Sequence, residues 1–290
     1  MNHQPQNKTS PSSLVKSAFS LVEISIVIVI IGILIAGISK GADLYADFKL
    51  TTARNLTINS RVGRIPDLVL WVEATSEKSF PEKQNINGTN ISQWNDLNPQ
   101  IPFKDNLTCV PSSSVIFQSN AINSLPAVYF NGGGALSNSL SGKSDGNVTI
   151  FVVYRNLATT GDNNWRQGIN ARRFLLQKAG GIKINQMVIT FPSVIDLIIQ
   201  NMTNSPEIFT GIHDPNNSSS KTRVYLNYRS SPYINNNSYL ISNPTQLITL
   251  GSAWFGYIGE AIVFERALNE SERIDVEDYL SKKWSIPISR

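Results

Sequence analysis

The segment Phe19–Ser39 constrains this chain more than any other, because its 21 residues contain one charge, Glu23, and Ile24–Ser39 contains none. As a helix rising ~1.5 Å per residue it reaches roughly 30 Å, the thickness of a bilayer core. It is apolar on every face rather than along one stripe, which argues against the buried core helix of a soluble domain. Residues Met1–Ala18 are polar and contain Pro5, Pro11 and several serines, so they have too little apolar material to form a core. Beyond the apolar run, Ala42, Tyr45, Phe48, Thr52 and Leu56 recur at spacings of three and four. This pattern predicts one helix from Leu21 to about Asn59, near ~58 Å long, whose second half touches a globular domain. Pro66 marks the stop. A secretory signal cut after Ser39 or Gly41, and a plain signal anchor, are the alternative readings.

Glu23 separates these readings. An unpaired carboxylate in a membrane helix costs on the order of 2 to 3 kcal/mol or more, so its presence asks for a partner. The run Lys16-Ser17-Ala18-Phe19-Ser20-Leu21-Val22-Glu23, followed by the apolar helix, resembles the prepilin signal of type IV pilins and type II secretion pseudopilins. The resemblance implies cleavage by a prepilin peptidase between Ala18 and Phe19, with methylation of the new amine. Ala18 stands where the family usually has Gly. Glu23 becomes the fifth residue of the mature chain, placed to neutralise the Phe19 ammonium of a neighbouring subunit during assembly. The same resemblance implies a single-pass protein of the bacterial inner membrane before assembly, and a pilus or pseudopilus on the periplasmic or cell-surface side afterwards.

The remainder is nearly neutral. The chain carries Lys+Arg 25 and Asp+Glu 21, and Lys8 and Lys16 lie before Phe19, leaving 23 − 21 = +2. No basic stripe is available to displace counterions, so nucleic acid is not an expected partner. A single cysteine, Cys109, excludes an intramolecular disulfide and thiolate metal clusters, and only His3 and His213 are available for imidazole ligation. Ten short β-branched and aromatic runs follow Pro66: Leu68–Ala74, Ala127–Asn131, Val148–Arg155, Arg173–Gln177, Met187–Phe191, Val194–Ile199, Glu207–Ile212, Arg223–Asn227, Leu247–Gly251 and Tyr257–Phe264. Asn, Gly, Ser and Pro clusters separate them, predicting an antiparallel sandwich. Asn269 is placed to cap a closing helix with Ile274, Val276, Tyr279, Leu280 and Trp284 inward and Glu272, Asp275 and Lys282 outward.

A second resemblance rests on these residues. Leu70-Trp71-Val72-Glu73-Ala74, Ile91-Ser92-Gln93-Trp94-Asn95-Asp96, Leu125–Gly132 and Val148–Tyr154 resemble the opening half of a laminin-G-like, concanavalin A-like jelly roll. Gly259–Leu268, then Glu272-Arg273, Val276–Leu280 and Lys283-Trp284, are similar to its last strand and closing helix. The organisation read from the sequence is therefore a leader over 1–18, a transmembrane and stalk helix over 19–59, a linker over 60–66 and a mainly β sandwich over 67–286.

Lectins, adhesion modules and glycosidases share this fold, so the residues must decide. A glycosidase of this kind needs carboxylates on alternating positions of one strand, and no E-x-D-x-x-E segment exists. The acidic run Glu270, Glu272, Asp275, Glu277 and Asp278 is explained by helix pairing and dipole effects. Glu260 reads as a lone acid without a partner, and His213, beside Asp214 in a Pro/Asn segment, as a surface histidine outside any triad. No catalytic residue or enzyme activity is expected. Asp162, Asn164, Trp165 and Arg166 bring an aromatic platform, an amide and charges onto one expected loop, the combination a sugar site uses. Trp71, Trp94, Trp254 and Trp284 are expected in the core. Asn131-Gly132-Gly133-Gly134 reads as a turn, since no P-loop lysine follows. No cofactor is expected. Calcium held by Asp96, Asn98 or Asp145 is the metal alternative. The partners implied are the prepilin peptidase, other pilin-like subunits, the inner membrane, and an extracellular glycan or envelope protein. The alternatives are an anchored or secreted glycan-active enzyme of this fold and a structural pseudopilin cap without a ligand.

Overall fold

The computed structural model describes residues 20–110, 115–139, 147–157, 166–171, 174–178, 186–190, 196–201, 204–227, 232–235, 247–252 and 254–289. Its elements open with α1 (Leu21–Asn59), β1 (Leu68–Glu73), β2 (Gln93–Trp94), β3 (Leu107–Val110), β4 (Val115–Ile122), β5 (Leu125–Asn131) and β6 (Ala135–Ser139). They continue with β7 (Val148–Asn156), β8 (Arg166–Ala171), β9 (Phe174–Lys178), β10 (Gln186–Thr190), β11 (Asp196–Asn201) and β12 (Pro206–His213). The chain closes with β13 (Thr222–Leu226), β14 (Tyr233–Asn235), β15 (Leu247–Leu250), β16 (Phe255–Phe264) and α2 (Glu270–Trp284). It divides into two compact units, Met1–Tyr45 and Ala46–Arg290.

In the first unit, residues 21–45 of α1 are exposed on all sides, with Ile24, Ile28, Ile31, Leu34 and Ile38 among the uncovered apolar side chains. The hydroxyls of Ser25 and Ser39 donate back to the carbonyls of Leu21 and Ile35 at 2.8 and 3.0 Å. These bonds satisfy the only side-chain donors inside the apolar stretch and keep it compatible with a non-aqueous surrounding.

The second unit is a three-layer body. One antiparallel sheet runs β14-β13-β12-β7-β16-β5-β4, with β1 paired to β16 as well, and the other runs β11-β10-β9-β8-β15-β6-β3-β2. Between them lies an apolar core containing Leu70, Val128, Phe130, Ile150, Val152 and Phe209 from the first sheet and Trp94, Leu107, Leu136, Ile248 and Leu250 from the second. The opposite face of the first sheet carries Phe151, Val153, Ile262 and Phe264, which pack under Val276, Leu280 and Trp284 of α2 and under Ala53 of α1. The central strands β7 and β16 are therefore buried on both faces, which is why VTIFVVY and EAIVF are continuous apolar runs rather than alternating ones.

α2 starts as its sequence demands. The Asn269 side chain accepts from the Glu272 amide at 3.0 Å, and the Glu272 carboxylate accepts from the Asn269 amide at 3.1 Å, a reciprocal capping box. Its inward face differs from the expected one. Val276, Tyr279, Leu280 and Trp284 are buried as expected, but Ile274 is half-buried, and Arg273, Glu277 and Lys283 are buried with them. These charged positions share the helical phase of the apolar ones, so rotating them outward would drag the aromatic residues with them.

All ten expected strands are present, each within two residues of its expected ends. The sequence reading missed β2, β3, β4, β6, β8 and β14. β6 reads Ala-Leu-Ser-Asn-Ser and buries only Leu136, so nothing local marks it as a strand. Its extended form comes from its ladders to β3 and β15.

Candidate functional site

Two places combine charge with unusual surroundings, and the first is the start of α1. Glu23 stands in the first turn, and its Oε2 accepts the Ser20 backbone N–H at 2.8 Å, while Ser20 Oγ accepts from Val22 N–H at 3.3 Å. Ser20-x-x-Glu23 is thus a helix-start signal as well as the placement of an acid. The sequence reading took Glu23 only as a charge seeking a partner on another chain. In the isolated chain the carboxylate already satisfies one orphan amide and sits favourably at the positive end of the helix dipole. Ala18 and Phe19, the expected processing residues, lie outside the described residues.

The second place is a buried polar cluster where β1, β16, α2 and the end of α1 meet. Glu260, read from the sequence as a lone acid without a catalytic carboxylate partner and as part of the structural Gly259-Glu260 signature, is held by four groups: Trp71 Nε1, Tyr279 Oη and Trp284 Nε1 each donate to it at 2.8 Å, and Lys283 Nζ lies at 2.9 Å. Lys283 also contacts Glu73 Oε2 at 3.0 Å and donates to Tyr279 Oη at 3.1 Å. Thr57 of α1 closes the cluster through its hydroxyl, 3.2 Å from Tyr279 Oη. The side chains of Lys283, Glu73 and Glu260 are all 0% exposed. A Cβ at position 259 would lie 2.5 Å from the Trp284 ring, so Gly259 is what lets that indole lie against β16 and reach Glu260. Desolvation and the neighbouring carboxylates Glu260 and Glu73 push the Tyr279 hydroxyl well above its ordinary range, so it stays a hydrogen-bond donor. The arrangement ties four segments together and leaves no room around Glu260 for a substrate.

A related pair holds α2 to β12. Arg273 and Glu277 pair at 2.5 Å, Thr210 donates to Glu277 at 2.7 Å, and the Arg273 guanidinium lies 4.1 Å from the centre of the Tyr225 ring. Burial pushes Glu277 up to about 7, with the Arg273 charge offsetting only part of that penalty.

Other expected positions fall as follows. Asp162, Asn164 and Trp165 lie outside the described residues, and Arg166 is the first residue of β8 rather than part of a loop. Asp145 also lies outside them. Asp96 is spent on backbone amides of Trp71 and Asn98, both at 2.9 Å, and Asn98 Nδ2 donates to the Leu68 carbonyl at 2.6 Å. These two side chains anchor the loop after β2 to β1, and no acid-histidine-cysteine cluster of metal-binding size occurs among the described residues. His213 is buried at 5% exposure, not on the surface. Its register partners, Thr222 on β13 and Val148 on β7, place it between two strands, with Nδ1 2.8 Å from Thr222 Oγ1. Trp71, Trp94, Trp254 and Trp284 are core residues, as expected.

The outward face of the second sheet has a different character. Leu107, Cys109, Leu136, Ile248 and Leu250 point inward, leaving Gln93, Thr108, Ser137 and Thr249 outward and at least partly exposed. The four are in register: Gln93 opposes Thr108, Thr108 opposes Ser137, and Ser137 opposes Thr249. At about 4.8 Å per strand they form an uncharged polar row roughly 14 Å long.

No protein-family profile and no curated protein sequence matches this chain. Solved structures do. The Trypanosoma rangeli sialidase in complex with sialic acid aligns with a TM-score of 0.50 at 12% identity, covering 77% of this chain and 34% of the sialidase. HCR/D, crystallised as a tryptophan-to-alanine mutant, aligns with a TM-score of 0.51 at 14% identity, covering 79% of this chain and 56% of HCR/D. The chain thus spans about a third of the sialidase and just over half of HCR/D. At such identities the likeness establishes the fold: a mainly β, antiparallel jelly-roll sandwich with a C-terminal helix, preceded by a long apolar N-terminal helix.

Proposed function

We propose that this chain is a pilin-like subunit, of the type IV pilus or type II pseudopilus kind, which displays its jelly roll for recognition rather than catalysis. One observation carries the reading: over residues 21–45 α1 exposes its apolar side chains all round, with Glu23 the one acid of its first turn. A helix of that composition needs a bilayer or other apolar helices around it. In this proposal a prepilin peptidase of the inner membrane cuts between Ala18 and Phe19. Glu23 then meets the new amine of an adjoining subunit, exchanging its bond to the Ser20 amide for an ion pair.

The recognition side follows from the layers. α2 and the end of α1 cover much of the first sheet's outer face, so the second sheet offers its face to partners. Its row of Gln93, Thr108, Ser137 and Thr249 supplies uncharged donors and acceptors suited to the hydroxyls of an extracellular glycan, with an envelope protein as the competing ligand. The non-enzymatic part of the proposal is supported by the engagement of the buried acids Glu73, Glu260 and Glu277 in internal bonds.

A glycan array combined with a hydrolase screen on the purified chain tests this reading. Binding without turnover, weakened by Thr108→Trp on the second sheet, is the expected result. Turnover that survives purification to homogeneity would identify the protein as a glycan-active enzyme instead. Silence in both assays would leave it as a structural cap.

A further inference from the structure

The outer face of the first sheet is not covered to its end. Phe151, Val153, Ile262 and Phe264 lie under the helices, but next in line Ile116, Tyr129, Tyr257 and Arg155 are each only half-buried. They stand in register across four strands: Ile116 on β4 opposes Tyr129 on β5, Tyr129 opposes Tyr257 on β16, and Tyr257 opposes Arg155 on β7. Strand alternation fixes their side, because Phe117, Phe130, Ile258 and Tyr154 beside them belong to the core between the sheets. At about 4.8 Å per strand the row is roughly 14 Å long.

The polar groups of this row are unspent. The Tyr129 and Tyr257 rings lie 5.2 Å apart, tilted by 44° to one another, and neither hydroxyl has a partner among the described residues. Gln118, two residues from Ile116 on the same face of β4, is half-buried, and its amide is likewise unbonded among them. Arg155 donates from Nε to the Asn204 carbonyl at 3.0 Å and from Nη1 to the Ala121 carbonyl at 3.2 Å, which fixes its guanidinium in place. No carboxylate pairs with it among the described residues. Glu207, beside it on β12, is turned to the opposite face, where the Tyr154 hydroxyl donates to it. A guanidinium has five N–H donors and keeps its charge at every working pH, so Arg155 sets an uncompensated cation with spare donors at the end of an aromatic row.

From this we infer a second binding site, for an acidic saccharide whose charged unit is a hexuronate. The C–H face of the sugar lies on the tyrosine rings, its hydroxyls bond the Tyr129, Tyr257 and Gln118 groups, and its carboxylate meets the Arg155 guanidinium. An acidic peptide is a poorer fit, since a single cation answers only one carboxylate, while two phenols and an amide ask for hydroxyl groups. The site shares no residue with the second-sheet row proposed for glycans and does not depend on the fate of the leader.

Calorimetric titration of the full chain in nonionic detergent micelles with trigalacturonate, and with its uncharged trimethyl ester, tests the inference. Trigalacturonate should bind saturably with a dissociation constant in the millimolar range or tighter, and the ester at least about tenfold more weakly. Arg155→Gln should bring the acid down to the level of the ester. Because that substitution also gives up two bonds to backbone carbonyls, Gln118→Glu serves as the second variant. Its amide bonds no described residue in the native chain, so the melting temperature should stay unchanged while the added carboxylate weakens the acid and spares the ester. Thr108→Trp, on the other sheet, should alter neither. Equal binding of acid and ester, unaltered binding of the acid in Arg155→Gln or in Gln118→Glu, its loss in Thr108→Trp, or no saturable heat up to roughly 50 mM trigalacturonate would each overturn the inference. Tighter binding of a tetraglutamate peptide than of trigalacturonate would also overturn it, assigning the row to an acidic protein segment.

Discussion

Replacing Lys283 by Met removes the one cation of a buried trio while keeping the length and apolar stem of the side chain. In the native chain its ammonium lies 3.0 Å from Glu73 and 2.9 Å from Glu260, and none of the three side chains is exposed. Removing one partner of a buried pair strands an uncompensated charge and costs about 3–5 kcal/mol. For a body of this size each kcal/mol shifts the melting temperature by roughly 2–4 °C, so a loss of about 6–20 °C is expected. The suitable sample is a fragment beginning at Ala46, which retains the compact second unit with the Thr57–Tyr279 contact. Thermal unfolding followed by circular dichroism at pH 7.5 is the assay. The double variant Lys283→Met with Glu73→Gln should recover part of the loss, because Glu260 keeps its donors on Trp71, Tyr279 and Trp284. A single variant melting within about 2 °C of the native fragment would refute the assignment of Lys283 as the ion holding the cluster together.

Glu23 separates capping from charge: glutamine also caps, so Glu23→Gln should keep the helix start yet enter filaments poorly, and incorporation at the native level would refute the ion-pair role. That outcome is read by quantifying the subunit in sheared filaments. Glu277 sets a pH dependence. Its folded-state value, about 7, lies above the ordinary 4.5, so the folded state binds the proton more tightly. Stability should therefore fall as the pH rises from 4.5 to 7 and level off above, by at most about 3 kcal/mol, while Glu277→Gln flattens that window. The Arg266–Glu272 pair does not confound this measurement. Its carboxyl is held below the usual range, chiefly by its hydrogen bond to Arg266, so its contribution is lost only in more acidic solution.

The parts of the fold visible in the sequence were those with local causes. α1 is legible because an uninterrupted apolar run needs no tertiary context, and its ends fall at Leu21 and Asn59. The start of α2 is legible because Asn269 and Glu272 form their capping box within four residues. The doubly buried strands announce themselves through β-branched runs. β6 and β14 do not, since they are short strands that owe their extended form to neighbours far along the chain. The contact of Glu73, Glu260 and Lys283 is not legible for the same reason, because they lie about 190 and 20 positions apart along the chain. One signal could have shown part of the cluster. Arg273, Glu277 and Lys283 fall in phase with Val276, Leu280 and Trp284, and charges on the apolar phase of a helix are expected to have buried partners. The capping role of Glu23 is equally legible in Ser20-x-x-Glu23, a serine followed three residues later by an acid at a helix start.

The most direct test of the central proposal is the mass of the N-terminal peptide of the chain isolated from bacterial envelope fractions. If the chain is a pilin-like subunit, the mature protein begins at Phe19 and carries a methylated amine, with Ser20 and Glu23 intact behind it. A chain beginning near Ala42 would instead reveal a secretory signal removed after the apolar run, and an uncut Met1 a plain membrane anchor. Either result would contradict the proposal.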